Sequence, residues 1–369
     1  MEFSCEKKTI LKEIVVAHDI ISSKNVLSIL SNVLLKVENE KLTIKATDLN
    51  VMFETSIPVD IKTPGSTTVF CDKFLNILRS LPDGEINFNY KEGEEKIYIQ
   101  PLFKNIQFQL KCIPSDKFPE MHEVSEDMAF QLPQNDFIEM ISQTIFSVSD
   151  DQSRHFLNGI YLEHKEDSLI MVATDGRRLS YIEKKPNTEI KEFKSIIIPT
   201  KILHIARRLA SGEGNLLMAV TEKNIFFWID EMRLSSTLIE GQFPNYRKVI
   251  PETQEQQLVV SRTELKEAIE RVSLLVEQKS KRIFMDLKEN QFMIKSEESE
   301  IGVANEEVGC TYNGPELSIA MNYTYLLDPL KVIEREEVRL ELTESSKAIT
   351  LYPQPEQSYF HIVMPMQLS

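Results

Sequence analysis

One pattern recurs three times along this chain of 369 residues, and a threefold repeat constrains the fold more than any single motif, because each copy must build a similar unit. Each copy opens with a short strand and an amphipathic helix. The three openings run from Phe3 to Ile21, Ala129 to Val148 and Gln257 to Val276, with apolar residues spaced three and four apart and Leu11, Phe137 and Leu265 in register. A strand pair ending in a carboxylate follows: KLTIKATDL to Asp48, SLIMVATDG to Asp175, and QFMIKSEES around Glu297 and Glu298. Asp48 and Asp175 lie 127 residues apart. A second helix begins at Cys71, Pro199 and Met321, with Phe74 and Ile202 separated by 128 residues. Each copy closes on a strand and a proline turn, Lys111 to Pro119, Thr237 to Tyr246 and His361 to Ser369, and Phe118 and Phe243 are 125 residues apart.

Five landmarks at nearly one offset predict an α+β protein of three repeated domains, each with two helices packed on antiparallel sheets. The expected domains are 1–127, 128–254 and 255–369, with connecting segments near 118–128 and 243–256. Acidic residues number 57 against 42 basic, a net charge of −15 that argues against a surface attracting nucleic acid or anionic lipid everywhere. Only 11 glycines are present, and neither GxGxxG nor GxxxxGK[ST] occurs, so the common nucleotide-binding loops are excluded. Cys5, Cys71, Cys112 and Cys310 form no CxxC pair, which suggests neither zinc nor a disulfide framework. The opening residues lack the apolar core of a secretory leader and no apolar run reaches the ~18 residues that span a bilayer, so a cytoplasmic protein without membrane contact is expected.

Asp48 and Asp175 could begin a metal or acid-base site, but as equivalent residues of two repeats they belong in different domains, each bonding its own backbone in a strand-end turn. The six histidines, His18, His122, His155, His164, His204 and His361, show no metal-ligand spacing and read as surface or edge residues. No nucleophile elbow is present. The chain therefore reads as non-catalytic, with neither metal nor cofactor.

The second helices carry more information. Lys73, Asn76 and Arg79 share one helical face, as do Lys201, His204 and Arg207 with Arg208 beside it, while Thr324 and Lys331 hold similar places in the third copy. The first helices add Lys8, Lys12, Arg262, Lys266 and Arg271, and Lys24, Arg154, Lys281 and Arg282 fall in the turns after them. Positive faces segregated on an acidic chain fit a surface that touches phosphates without reading bases. The DNA-contact candidates are Lys24, Arg79, Arg154, Lys201, Arg207, Lys281 and Arg282.

The segments ATDGRRLS (Ala173 to Ser180), FLNGIYLE (Phe156 to Glu163), LIEGQFPNYRKVIP (Leu238 to Pro251) and VMPMQL (Val363 to Leu368) resemble the bacterial sliding clamps, the beta subunits of DNA polymerase III. The resemblance covers the whole chain. It implies a head-to-tail homodimer closed as a ring, with sheets outside and helices around double-stranded DNA. It also implies a processivity factor for DNA replication, an accessory subunit with no 3'-5' exonuclease of its own. The implied partners are the replicative DNA polymerase catalytic subunit, the clamp loader, and other clamp-binding repair and translesion proteins.

By the same resemblance, a partner-peptide pocket comprises Leu157, Thr174, Gly176, Arg177, Arg178, Leu179, Pro244, Lys248, Val249, Val363, Met364, Pro365, Met366 and Leu368. Aliphatic and Met side chains give such a groove an adaptable apolar floor, and Arg178 is expected to orient the polar end of the peptide. Arg177 stands where the family commonly has His, and Lys248 and Gln367 where Arg is frequent, with Ser369 appended; these changes alter the polar rim and keep the apolar floor. Ring closure is expected to use Lys73, Ile77, Lys104, Phe108, Leu274, Leu275, Glu298 and Glu300, with Lys73 and Lys104 facing acids among Glu297, Glu298, Glu300, Glu306 and Glu307. Two other readings remain open on the residues: a cytosolic peptide-binding scaffold with no DNA contact, and a metal-dependent hydrolase using Asp48 or Asp175.

Overall fold

Alternating burial along the strands and one-sided burial along the helices organise the chain into antiparallel sheets with helices packed against them. The computed structural model describes residues 1–21 and 28–367. Six α-helices are formed among the described residues: α1 (Lys7–Ile20), α2 (Cys71–Ser80), α3 (Gln134–Ser142), α4 (Thr200–Leu209), α5 (Arg262–Val272) and α6 (Tyr323–Val332). These are the first and second helices expected of each repeat.

Local chemistry sets their ends. Ser261 Oγ accepts from the Glu264 amide at the start of α5, and Asn322 Oδ1 accepts from the Thr324 amide at the start of α6, which satisfies donors that a helix N-terminus leaves open. Each helix buries one stripe: Phe74, Leu75 and Leu78 in α2, and Ile202, Leu203, Ile205 and Ala206 in α4. The register of the first helices differs from the sequence expectation by one residue in the first copy. Ile10, Phe137 and Leu265 each stand fourth in their helix and are fully buried, whereas Leu11, one position further round α1, is only half-buried.

The chain divides into two compact units, and the division passes through the middle repeat. The first unit, Met1–Gln134 with Thr188–Phe193 and Lys201–Leu238, contains a 13-stranded antiparallel sheet. In it the strand Val51–Pro58 of the first repeat pairs with Met232–Thr237 of the second, Val51 opposite Ser236 and Glu54 opposite Arg233. Phe3 stacks on Phe88 at 4.8 Å and Phe74 meets Phe88 edge-on in its core. The second unit, Asn135–Asn187 with Lys194–Thr200 and Ile239–Ser369, contains a nine-stranded and a four-stranded sheet. Here Arg178–Lys184 of the second repeat pairs with Tyr359–Val363 of the third, Arg178 opposite Val363 and Tyr181 opposite Phe360.

The connecting segments are not both open spacers. Within 243–256, Phe243 and Tyr246 are buried and join Leu157, Val172, Leu179, Ile197 and Ile362 in one apolar cluster. The histidine expectation also fails at one position. His361 is fully buried, its Nδ1 2.9 Å from Ser180 Oγ and its ring beside Phe146 and Tyr359. Tyr359, His361 and Val363 are all inward-facing on one strand, so a period-two reading of that strand carries the signal. All four cysteines are free thiols. Burial pushes the Cys5 and Cys71 thiols up to about 12 and Cys112 to about 11, which holds them protonated and unreactive. Among the described residues no helix is long and apolar enough to cross a membrane.

Candidate functional site

The two ATD turns have the same construction. Asp175 Oδ1 accepts from the amides of Arg177 (2.8 Å) and Arg178 (3.1 Å), and Thr174 Oγ1 donates to Arg178 O while accepting from the Gly176 amide. Asp48 and Thr47 make the equivalent four bonds to Asn50, Val51 and Leu49. Such turns use the carboxylate to satisfy backbone donors where a strand reverses. Each Asp also holds a cation, Asp175 pairing with Arg178 Nε at 3.1 Å and Asp48 with Lys201 Nζ at 2.5 Å. Both carboxylates are thus engaged, in separate units, and the hydrolase reading loses its residues. Gly176 has φ +90°, and a Cβ there would come within 3.0 Å of Arg154 Nη1.

Beside the second turn, the pocket candidates fall into a buried floor and an accessible wall. Leu157, Leu179 and Val363 are buried. Gly176, Arg177, Pro244 and Lys248 are exposed, and Thr174, Pro365 and Met366 are half-buried. Val249 and Met364 stand out as apolar side chains 57% and 44% exposed. The tail is held as extended chain from both sides: the Met364 amide donates to Arg177 O at 2.8 Å and the Met366 amide to Ala320 O at 2.7 Å. Leu368 lies outside the described residues.

Arg178 is engaged within the protein. Its side chain, 12% exposed, donates to Asp175, to Asp328 Oδ2 at 2.6 Å and to the Phe146 carbonyl, with the guanidinium 4.6 Å from the Tyr325 ring centre. Successive residues of a strand face opposite ways, so Arg178 points away from the side on which Leu179 lies. The guanidinium braces the turn. On that side a polar cleft of about 580 Å³ is lined by Arg154, Arg177, Lys281, Thr324, Tyr325 and Asp328, among others.

The cations expected to face phosphate divide similarly. Arg79 is exposed at the end of α2, Arg207 and Lys281 are half-buried, and Lys24 lies outside the described residues. Lys201 donates to Ile20 O as well as Asp48, Arg282 pairs with Glu297 at 2.7 Å, and Arg154 pairs with Asp151 at 3.0 Å. On α5, Arg271 is held by Glu306 and Glu267. Burial, and then the neighbouring Arg207, lower the pKa of His204. The positive faces are therefore partly neutralised from within, a pairing that helical spacing does not reveal.

The ring-closure candidates lie on α2, on the 3-10 turn after α5, and on and beside strand edges. In the first unit Lys73 and Lys104 are exposed, Ile77 and Phe108 half-buried; Phe108 pairs with Ile99 on one side, while pairing on the other begins only at Cys112. In the second unit Glu298 and Glu300 are exposed, Leu275 is half-buried, and Asn305–Val308 is the terminal strand of its sheet. Leu274 is 81% exposed. Sequence reasoning missed Leu102, Phe103, Ile301 and Val303, of which Phe103 and Ile301 are each 86% exposed. Their signal is an apolar pair set in a polar loop.

Three family models match the chain in succession: DNA polymerase III beta subunit, N-terminal domain at 1–122, central domain at 131–245 and C-terminal domain at 247–367. The chain is 45% identical to the beta sliding clamp of Treponema pallidum and 31% identical to that of Escherichia coli, over 100% of each chain. A crystal structure of the Pseudomonas aeruginosa sliding clamp bound to griselimycin matches with TM-score 0.94 at 30% identity, again over 100% of both chains.

Proposed function

The chain belongs to the DNA polymerase III beta-subunit family, and from that membership we propose how its residues carry out the work of a sliding clamp. The family is a processivity factor, a non-catalytic accessory subunit with DNA and a DNA polymerase as its partners. In our reading two copies close head to tail into a ring around duplex DNA. The apolar edge with Phe103 and Phe108 on one copy meets the edge with Leu274 and Ile301 on the other, and the strand edges at 108–111 and 305–308 supply backbone hydrogen bonds. Lys73 and Lys104 face Glu298 and Glu300 across that joint.

Topological linkage resolves the conflict between a charge of −15 and DNA as a partner. A closed ring needs no strong ion pairs to stay on DNA, so weak and exchangeable phosphate contacts suffice and leave the protein free to slide. Arg79 and Lys281 supply those contacts, and Arg207 with the ion-paired Lys201, Arg154 and Arg282 supply less. The polymerase catalytic subunit, the clamp loader and repair proteins dock a short segment between Val249, Met364 and the floor of Leu157 and Leu179. Met and aliphatic side chains accept differing apolar residues, which suits one groove shared by several partners.

The observation that carries this reading is the end-to-end succession of three clamp domains in one chain. The direct test is primer extension by the polymerase with loader and ATP, under single-binding conditions. Products should lengthen at least tenfold when this protein is added and return to the basal length with a Val249→Ala, Met364→Ala variant. Unchanged length on addition would favour the scaffold without DNA contact.

A further inference from the structure

The wall of the peptide groove is carried on a segment with little secondary structure of its own. Residues Tyr246–Val249 form a single 3-10 turn, and the Lys248 amide donates to Asn245 O within the segment. A 3-10 turn of this length has weak hydrogen-bond geometry and does not persist unsupported. Support comes from the sheet beneath. Phe243 stacks on Tyr161 with ring centres 4.7 Å apart, and Tyr246 lies 6.0 Å from Tyr161 and 6.1 Å from Tyr181.

Stacking of flat rings fixes separation but permits sliding, so a directional contact is needed to set the position of the turn. Glu163, on the strand Gly159–Lys165 and facing the same way as Tyr161, provides it. Tyr246 Oη donates to Glu163 Oε2 at 3.0 Å, and Arg247 Nη2 donates to Oε1 at 2.8 Å and Oε2 at 2.9 Å. The Arg247 guanidinium also lies 4.7 Å from the centre of the Tyr246 ring. One half-buried carboxylate thereby captures two successive residues of the turn.

We propose that Glu163 is a positioning residue for partner binding: through Tyr246 and Arg247 it holds Pro244, Lys248 and Val249 in the arrangement that receives the partner's segment. The inference rests on the reading of those residues as the wall of a peptide groove. Without the latch, the binding-ready arrangement is only a fraction of the population, and apparent affinity falls by that fraction. The loss falls on association, because a bound partner itself keeps the wall in place.

The test uses the full-length protein and the purified replicative polymerase catalytic subunit of the same organism, with rates read by surface plasmon resonance. Glu163→Ala should weaken binding about tenfold and Glu163→Gln, which keeps an acceptor for Tyr246, by less. The loss should lie in the association rate, with dissociation within twofold of the parent. In a Tyr246→Phe, Arg247→Leu background, Glu163→Ala should add no further loss. Retention on circular DNA, measured alongside, checks that each variant folds and closes. Parent-like association by Glu163→Ala, or losses that add in the combined variant, would overturn the proposal while Val249→Ala still weakened binding. If Val249→Ala and Met364→Ala bound the polymerase like the parent, the groove reading itself would fall, and the role of Glu163 with it.

Discussion

At Arg178 three acceptors converge on one guanidinium, and the residue explains a difference between what spacing suggests and what packing does. Asp175, Asp328 and the Phe146 carbonyl engage it at a site where all the charges are largely withdrawn from water. Removing the cation takes from Asp175 and Asp328 the guanidinium they share, though Asp328 keeps Lys331 at 3.6 Å and Asp175 its two backbone amides, so Arg178→Leu should destabilise the protein by about 2 kcal/mol, read from the urea midpoint by circular dichroism. His361 gives a second residue-scale prediction. Burial, with Arg178 nearby, lowers its pKa from 6.5 to about 3, so the folded protein holds the ring neutral. The unfolded chain binds a proton below 6.5 that the fold refuses, and stability should drop by about 1.4 kcal/mol for each pH step from 6.5 down toward 3. His361→Gln should remove that slope. Neither role was legible in the sequence, since Arg178 finds Asp328 150 residues away and His361 finds Ser180 181 residues away.

Equivalent strands at the two repeat junctions carry side chains of different character, which is why the peptide groove is proposed at one junction, while the cavity of about 860 Å³ at the other is lined by charged residues. Across the sheet of the second unit, Tyr161, Val172, Tyr181 and Phe360 are neighbours in register. The equivalent row in the first unit is Leu34, Lys45, Glu54 and Arg233. An aromatic row can be covered by Phe243 and Tyr246 to make an apolar floor; a row in which Lys45 pairs with Glu54 at 2.9 Å cannot. The repeats, their helices and the ATD turns were legible because period and offset are local properties. The pairing of helix cations was not, because Lys201 meets Asp48 across 153 residues. The distinction has a measurable outcome in the salt dependence of affinity for a short linear duplex. Arg79→Ala should lower the slope by about 0.9, the value of one neutralised phosphate. Lys201→Ala should change it by less than half as much.

For the molecule as a whole, the exposed Phe103, Leu274 and Ile301 are the largest departure from an ordinary protein surface. Scattered apolar residues need no explanation, but side chains this exposed beside open strand edges support the proposal that they form the joint between copies. Phe103→Glu should convert the dimer to monomer in sedimentation at micromolar concentration, and Lys104→Glu should weaken it. In our proposal the ring, and not the strength of its ion pairs, keeps the protein on DNA. This is tested most directly by loading the clamp on nicked circular DNA, raising the salt, and measuring retention before and after a single cut linearises the circle. A closed ring should stay on circles and escape from the cut ends. Equal loss from circular and linear DNA, with an active loader, would contradict it.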